Sequence, residues 1–428
     1  MQFIYRNDPD FEKKVQALFS RAAIGADADK AASEIIDAVK ERGDDALCEY
    51  AAKFDRTELT PAQFRVTDAE IEAACAKVPQ EDKAAIDMAV AHIQDFYSHT
   101  LPKGWTYSPR PGVMLGEQFH PLDIVGCYIP GGTAPLVSTV CHTVAIAKTA
   151  GVKEIIVCTP PGGERGIHPA LLYACKAAGA TGVYRLGGVY GIAAMAYGTA
   201  TIPRVEKICG PGNAYVAAAK RRLYGTVALD LVAGPSEVLV LADGSANPEY
   251  VAADVLSQAE HGSGREQAVM VSTDRGVLEA VAKEIERQAA LLKRQECVQK
   301  VLENGVFLIE AANLDDAAKI ASLYAPEHLE LLVENAQELA PKITAAGAIF
   351  MGAYTPEPVG DYIAGPSHVL PTGGTARFFN GLTGDAFFRR TSLISYNRDA
   401  LLAEQPAIAR LTAAEGLDAH GASAAIRK

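Results

Sequence analysis

The 428 residues contain no C-x-x-C pair, no G-x-G-x-x-G turn and no apolar run approaching the ~20 residues needed to cross a bilayer. The first absence excludes thiol-rich zinc knuckles and thioredoxin-type redox motifs. The second removes the standard dinucleotide fingerprint, though not dinucleotide binding itself. The third argues against a helical anchor. The opening MQFIYRNDPDFEKK also lacks the apolar core of a secretory signal, so a cytoplasmic protein is expected. A basic surplus is missing too. The net charge of −12 repels polyanions, and the densest basic clusters, Lys220–Arg221–Arg222 and Arg389–Arg390, are too short to form a phosphate track.

What is present begins with eight cysteines, at positions 48, 75, 127, 141, 158, 175, 209 and 297, most of them in apolar surroundings. They read as buried, reduced thiols. A second reading stays open for Cys127, beside a glycine turn, because many enzymes that oxidise aldehydes to acids pass through a thioester.

Length and alternation set the fold class. A chain this long divides into more than one lobe. From Leu122 onward, short apolar runs alternate with amphipathic stretches, and Gly or Pro marks most junctions. DIVGCYI (123–129), EIIVCT (154–159), GVYRL (182–186) and EKICG (206–210) read as strands, each followed by a helix. EVLVLAD (237–243), AVMVST (268–273), GVFLIE (305–310), LELLV (329–333) and AIFMG (348–352) form a second series. The pattern predicts an α/β protein of two doubly wound, Rossmann-like lobes. Residues 1–25 read as a separate arm, 26–127 with 237–381 as a first lobe, 128–236 as a second, and 382–428 as a tail.

Three glycine turns, at 130–132, 187–188 and 210–212, fall where a strand gives way to a helix. In an open parallel sheet the carboxyl ends form the ligand crevice, and helix N-termini attract phosphate. Such turns suit a dinucleotide, or are simply tight turns. Only nine histidines occur. In LSQAEHGSG (256–264), Gln258 and His261 share a helix face, and His261 either complements the helix dipole or faces a cleft. In APEHLEL (325–331), adjacent Glu327 and His328 offer two proton-handling groups on a loop, or an exposed polar turn. Asp361 lies in a Gly- and Pro-punctuated loop (358–374) too long to be a plain connector, and His420 lies in the polar tail. Two histidines, a carboxylate and an amide oxygen make a plausible zinc set, but residues spread so widely do not demonstrate one. His92, His99, His120, His142, His168 and His368 read as structural or surface residues.

Taken together, CYIPGG (127–132), GPGNAYV (210–216), AGPSEVLVLAD (233–243), SQAEHG (257–262), APEHLE (325–330), GDYIAGPSHVLPTGGTARF (360–378) and EGLDAH (415–420) resemble the histidinol dehydrogenase family. The match keeps the family's order from near the N-terminus to the tail. The resemblance implies oxidation of L-histidinol through L-histidinal to L-histidine, with two NAD⁺ and one zinc ion per site. It places the zinc ligands on Gln258, His261, Asp361 and His420, and proton transfer on Glu327 and His328. Substrate contacts fall on Ser236, Gln258, His261, His328, Asp361, Glu415 and His420. NAD contacts fall on Tyr128 and Asn213, with Tyr190 standing where the family commonly has a glutamine (GGVYGIAAMA, 187–196). The first lobe becomes the zinc and substrate side, the second the NAD side, and the tail reaches into the partner of a homodimer. Two other readings compete: a paralogue acting on another polar alcohol such as a sulfonated diol, and a zinc- or nucleotide-binding protein without catalysis.

Overall fold

Runs such as Ile124–Tyr128 and Glu237–Ala242 are apolar at almost every position, and strands of that kind need cover on both faces. In the computed structural model, which describes all residues except 20, 22–24, 132–134, 163–165 and 262–263, they receive it. The described strands are β1 (Gln2–Ile4), β2 (Trp105–Tyr107), β3 (Val113–Pro121), β4 (Ile124–Tyr128), β5 (Glu154–Thr159), β6 (Gly182–Arg185), β7 (Lys207–Cys209), β8 (Ala228–Leu229), β9 (Glu237–Ala242), β10 (Gln267–Ser272), β11 (Val306–Glu310), β12 (His328–Leu332), β13 (Ala348–Met351) and β14 (Phe388–Tyr396).

Two parallel sheets result, a five-stranded one ordered β6-β5-β4-β7-β8 and a six-stranded one ordered β1-β11-β10-β9-β12-β13. Side chains alternate between the faces. Val125 and Cys127 enter one apolar cluster while Tyr128 enters another, and Leu239 and Leu241 separate in the same way from Val238 and Val240. The expected α/β class with parallel sheets is therefore found. Within the five-stranded sheet the chain runs from β4 outward to β5 and β6, then returns to lay down β7 and β8 on the other side. The order reverses between β4 and β7, which is where an open sheet leaves a crevice. In the six-stranded sheet the reversal falls between β9 and β12.

Two parts of the expected division differ. The first residues are not a free-standing arm. Gln2–Ile4 pair in parallel with Phe307–Ile309, so β1 edges the six-stranded sheet and satisfies backbone groups of β11. The helices between residues 26 and 98 cover the five-stranded sheet, not the six-stranded one. Ala32, Ile36, Leu47 and Phe64 share a cluster with Tyr128 and Tyr184, and Val90, Ile93 and Tyr97 share one with Val125 and Ile155. The amphipathic spacing of these helices dictates which face is buried, but not which sheet receives it. Beyond residue 381, β14 pairs antiparallel with β3, Phe388 opposite Pro121 through Tyr396 opposite Val113. Helices Arg398–Glu415 and Asp418–Ala425 follow. No described helix is long and apolar enough to cross a membrane.

Candidate active site

The carboxyl ends of β4 and β7 face the amino ends of β9 and β12 across a cavity of about 620 Å³. Pro130, Pro211, Gly212 and Asn213 line it from the first sheet, and Ser236, Glu327 and His328 from the second. His261, Asp361 and His368 complete the side carrying the second sheet. Only the first sheet follows the carboxyl-end rule; the second presents the opposite edge.

Glu237, the first residue of β9, holds Glu327 and His328 side by side. Its backbone N–H donates to Glu327 Oε2 at 2.9 Å, and its carbonyl accepts from His328 Nδ1 at 3.2 Å. Its own carboxylate is buried and lies 3.0 Å from the Arg21 guanidinium, while Gly373 N–H donates to it at 3.0 Å. Arg21 in turn stacks 3.7 Å over the Tyr324 ring. Burial outweighs these partners and raises the Glu237 carboxyl to about 7. For Glu327 and His328 the sequence pattern predicts a loop. Instead Glu327 is 6% and His328 2% exposed, and His328 opens β12 opposite Val238 and Ala348. Burial pushes Glu327 up to about 8, against the opposing pull of His328 and the Glu237 N–H. On His328, burial works against the charged ring. Glu327 and Glu357 at 3.8 Å and Asp361 at 3.5 Å outweigh it, so its proton is held well above the ordinary histidine range. With Nδ1 on the Glu237 carbonyl, Nε2 has no hydrogen-bond partner.

The expected metal ligands are partly gathered. Gln258 is fully buried near the end of helix Pro248–Ala259, and neither its Oε1 nor its Nε2 has a hydrogen-bond partner. Such an amide lacks what burial ordinarily demands. His261 follows just after this helix, exposed and on the cavity wall. Asp361 lies on a short helix, Glu357–Tyr362, rather than in a loop. That helix is pinned by buried acids. Glu357 N–H donates to Glu330 Oε1 at 2.6 Å, and Ser257 Oγ donates to Glu357 Oε2 at 2.8 Å, tying the helix of Asp361 to that of Gln258. His328, Glu357 and Asp361 form a group of three whose ligand atoms lie within 4.8 Å of one another. Glu415 and His420 are exposed in the tail and line no part of this cavity.

On the other side, Asn213 both lines the cavity and caps helix Ala214–Leu223, its Oδ1 accepting from Tyr215 and Val216 N–H at 3.0 and 3.1 Å. Tyr128 and Tyr190 do not line it. Tyr128 is 4% exposed and accepts from Gly188 N–H at 3.0 Å; Tyr190 is 1% exposed, hydrogen-bonds Asp55 and stacks on Tyr50. Of the glycine turns, Gly132 lies outside the described residues, as do Gly163 and Gly262 beside other motifs.

Sequence reasoning missed Glu237, Glu357 and His368. The signal for Glu237 was a carboxylate opening an otherwise apolar strand. His368, expected to be structural or on the surface, lines the cavity and stacks on buried His142 with ring centroids 4.5 Å apart.

A family model described as histidinol dehydrogenase matches residues 20–428. Curated relatives of that name include those of Geobacter metallireducens, 43% identical over 430 residues (100% of this chain, 98% of the relative), and Geobacter sulfurreducens, 44% identical and covering all of both. The crystal structure of the histidinol dehydrogenase from Elizabethkingia anophelis superposes with a TM-score of 0.94 at 37% identity, covering 100% of this chain and 98% of that one. With buried Glu327 and His328 on the wall of a cavity between two parallel sheets, the chain belongs to the histidinol dehydrogenase family, oxidoreductases of histidine biosynthesis.

Proposed function

We propose that this chain oxidises L-histidinol through L-histidinal to L-histidine in the cytoplasm, using NAD⁺, zinc and a second copy of itself. The observation that carries the reading is the Glu237 backbone, which holds Glu327 and His328 side by side on the cavity wall. His328 keeps its Nδ1 proton on the Glu237 carbonyl and takes the alcohol proton at Nε2. At the aldehyde stage Glu327 takes a proton from the water that adds to the carbonyl, and His328, having passed its first proton to solvent, takes the next at Nε2. Asn213 would line the site of NAD⁺, which would supply the hydride acceptor for both oxidations.

Gln258, His261 and Asp361 would hold the zinc ion, with His420 supplied by the tail of the second copy. The orphaned, fully buried amide of Gln258 fits that role. Zinc so held would supply Lewis acidity toward the nitrogens of the substrate, leaving these residues to orient the alcohol. Engaging Asp361 elsewhere also relieves His328 of one of three carboxylates, loosening its proton as a base requires. The alternative trio of His328, Glu357 and Asp361 would sacrifice this base, and Glu357 is already occupied by Ser257. Ser236, Gln258, His261, His328 and Asp361 contact the substrate from one copy, Glu415 and His420 from the other. Tyr128 and Tyr190 contribute to the NAD side by shaping its wall from within the core.

The test is NADH formed per histidinol consumed, with and without a chelator. Two per substrate, lost on chelation and restored by zinc, is the expected result; one per substrate, or indifference to chelation, contradicts it.

A further inference from the structure

The turn Gly210–Asn213 is held by a buried ion pair that the chemistry above does not use. Lys220, on helix Ala214–Leu223, has a side chain 2% exposed, and Asp230, just after β8, one that is 0% exposed. Lys220 Nζ hydrogen-bonds the Asp230 carboxylate and also donates to the Gly210 carbonyl at 2.9 Å. Asp230 Oδ2 accepts from Gly210 N–H at 2.7 Å, and Oδ1 accepts from Leu231 N–H at 2.6 Å. Both polar backbone groups of one glycine are therefore clamped by one ion pair, which ties the end of β7 to the following helix and to the end of β8.

Stability alone is a poor reason for this arrangement. Desolvating two charges costs about what their attraction returns, and apolar side chains of similar volume commonly replace such pairs without loss. What apolar side chains cannot do is direct hydrogen bonds at Gly210 N–H and C=O. The residues that follow the clamped glycine, Pro211, Gly212 and Asn213, are cavity wall. We infer that Lys220 and Asp230 are positioning residues for the dinucleotide: they fix the turn that presents Asn213, and so set NAD⁺ affinity from behind the wall. This rests on the reading that NAD⁺ lies along Asn213.

The experiment measures the NAD⁺ dissociation constant by calorimetry on the intact enzyme, together with zinc content and melting temperature. The double substitution K220M/D230L removes both charges and the clamp. It is expected to weaken NAD⁺ about tenfold while zinc content is unchanged. K220Q/D230N, which keeps an uncharged amide donor toward the Gly210 carbonyl and one amide oxygen in place of the two acceptor oxygens of Asp230, is expected to recover part of that loss. Should K220M/D230L not fold, K220M/D230N is read in the same way: it loses the charge pair and the bond to the Gly210 carbonyl, and its one amide oxygen can serve only one of the two N–H groups, of Gly210 and Leu231, that now donate to Asp230. Unchanged NAD⁺ affinity in the folded double variant overturns the inference, as does a matching loss of zinc, which would mark a merely structural pair. Asn213→Ala separates the layers. If it leaves NAD⁺ binding untouched, the underlying placement of NAD⁺ fails. If it weakens binding while K220M/D230L does not, only the clamp fails.

Discussion

At the scale of single residues, the division of labour between Glu327 and His328 follows from what holds each of them. His328 has one nitrogen fixed by a carbonyl and the other 3.5 Å from Asp361, and in the proposed scheme both oxidations need it. His328→Asn should depress NADH formation from histidinol and from histidinal alike, by about 10²-fold or more. Glu327→Gln should harm the histidinal step more, and equal losses in the two assays would contradict its role as activator of water. Burial raises the Glu327 carboxyl to about 8, so its base form grows as pH rises through that value. The histidinal step should climb with pH and level off above about 8. A profile flat from pH 6 to 9 would count against it. Cys127 illustrates the reverse case. It is fully buried, and burial pushes its thiol up to about 12, the wrong direction for a nucleophile. Cys127→Ser should leave turnover within about tenfold, or about 1.4 kcal/mol; a collapse would restore the thioester route.

At the scale of elements, the strand-to-helix turn after β7 leaves little room for change. Gly210 has φ +112°, and a Cβ there would stand 2.1 Å from the Tyr128 carbonyl oxygen. Backbone cannot move aside as a flexible side chain can. Gly210→Ala should therefore cost about 2 kcal/mol or more, read as a lowered melting temperature. The GPGN pattern announced a turn from sequence, because glycine and proline punctuate strand–helix junctions. It did not announce the Lys220–Asp230 clamp, since in the sequence Lys220 begins a basic run that looks solvated. Similarly, Pro326 marked the end of a helix, and Leu314–Tyr324 does end there, with Ala325 left-handed at φ 51°. That Glu327 and His328 are then buried depended on β9 and β13 flanking β12, which local sequence does not encode.

At the scale of the molecule, Glu415 and His420 sit on a tail that leaves Leu411, Leu417 and Ile426 exposed and lies away from its own cavity. A tail that completes a neighbour's site predicts complementation. A His328→Asn subunit retains a good tail, and a His420→Asn subunit retains a good cavity. Each inactive alone, they should recover about a quarter of wild-type activity when unfolded, mixed and refolded, because half the dimers are mixed and each has one whole site. No recovery, with mixed dimers demonstrated, would mean that the tail serves its own chain.

The sequence alone determined the α/β class, most strand and helix positions, and the family, because periodicity, turn chemistry and long motifs are local properties of a chain. Only the tertiary structure decided that residues 26–98 cover the five-stranded sheet, that β1 joins the six-stranded one, and that Glu237 holds Glu327 and His328. Those are matters of which surfaces meet. An amphipathic helix or a strand edge states that it needs a partner; the packing of the whole chain selects which partner it gets.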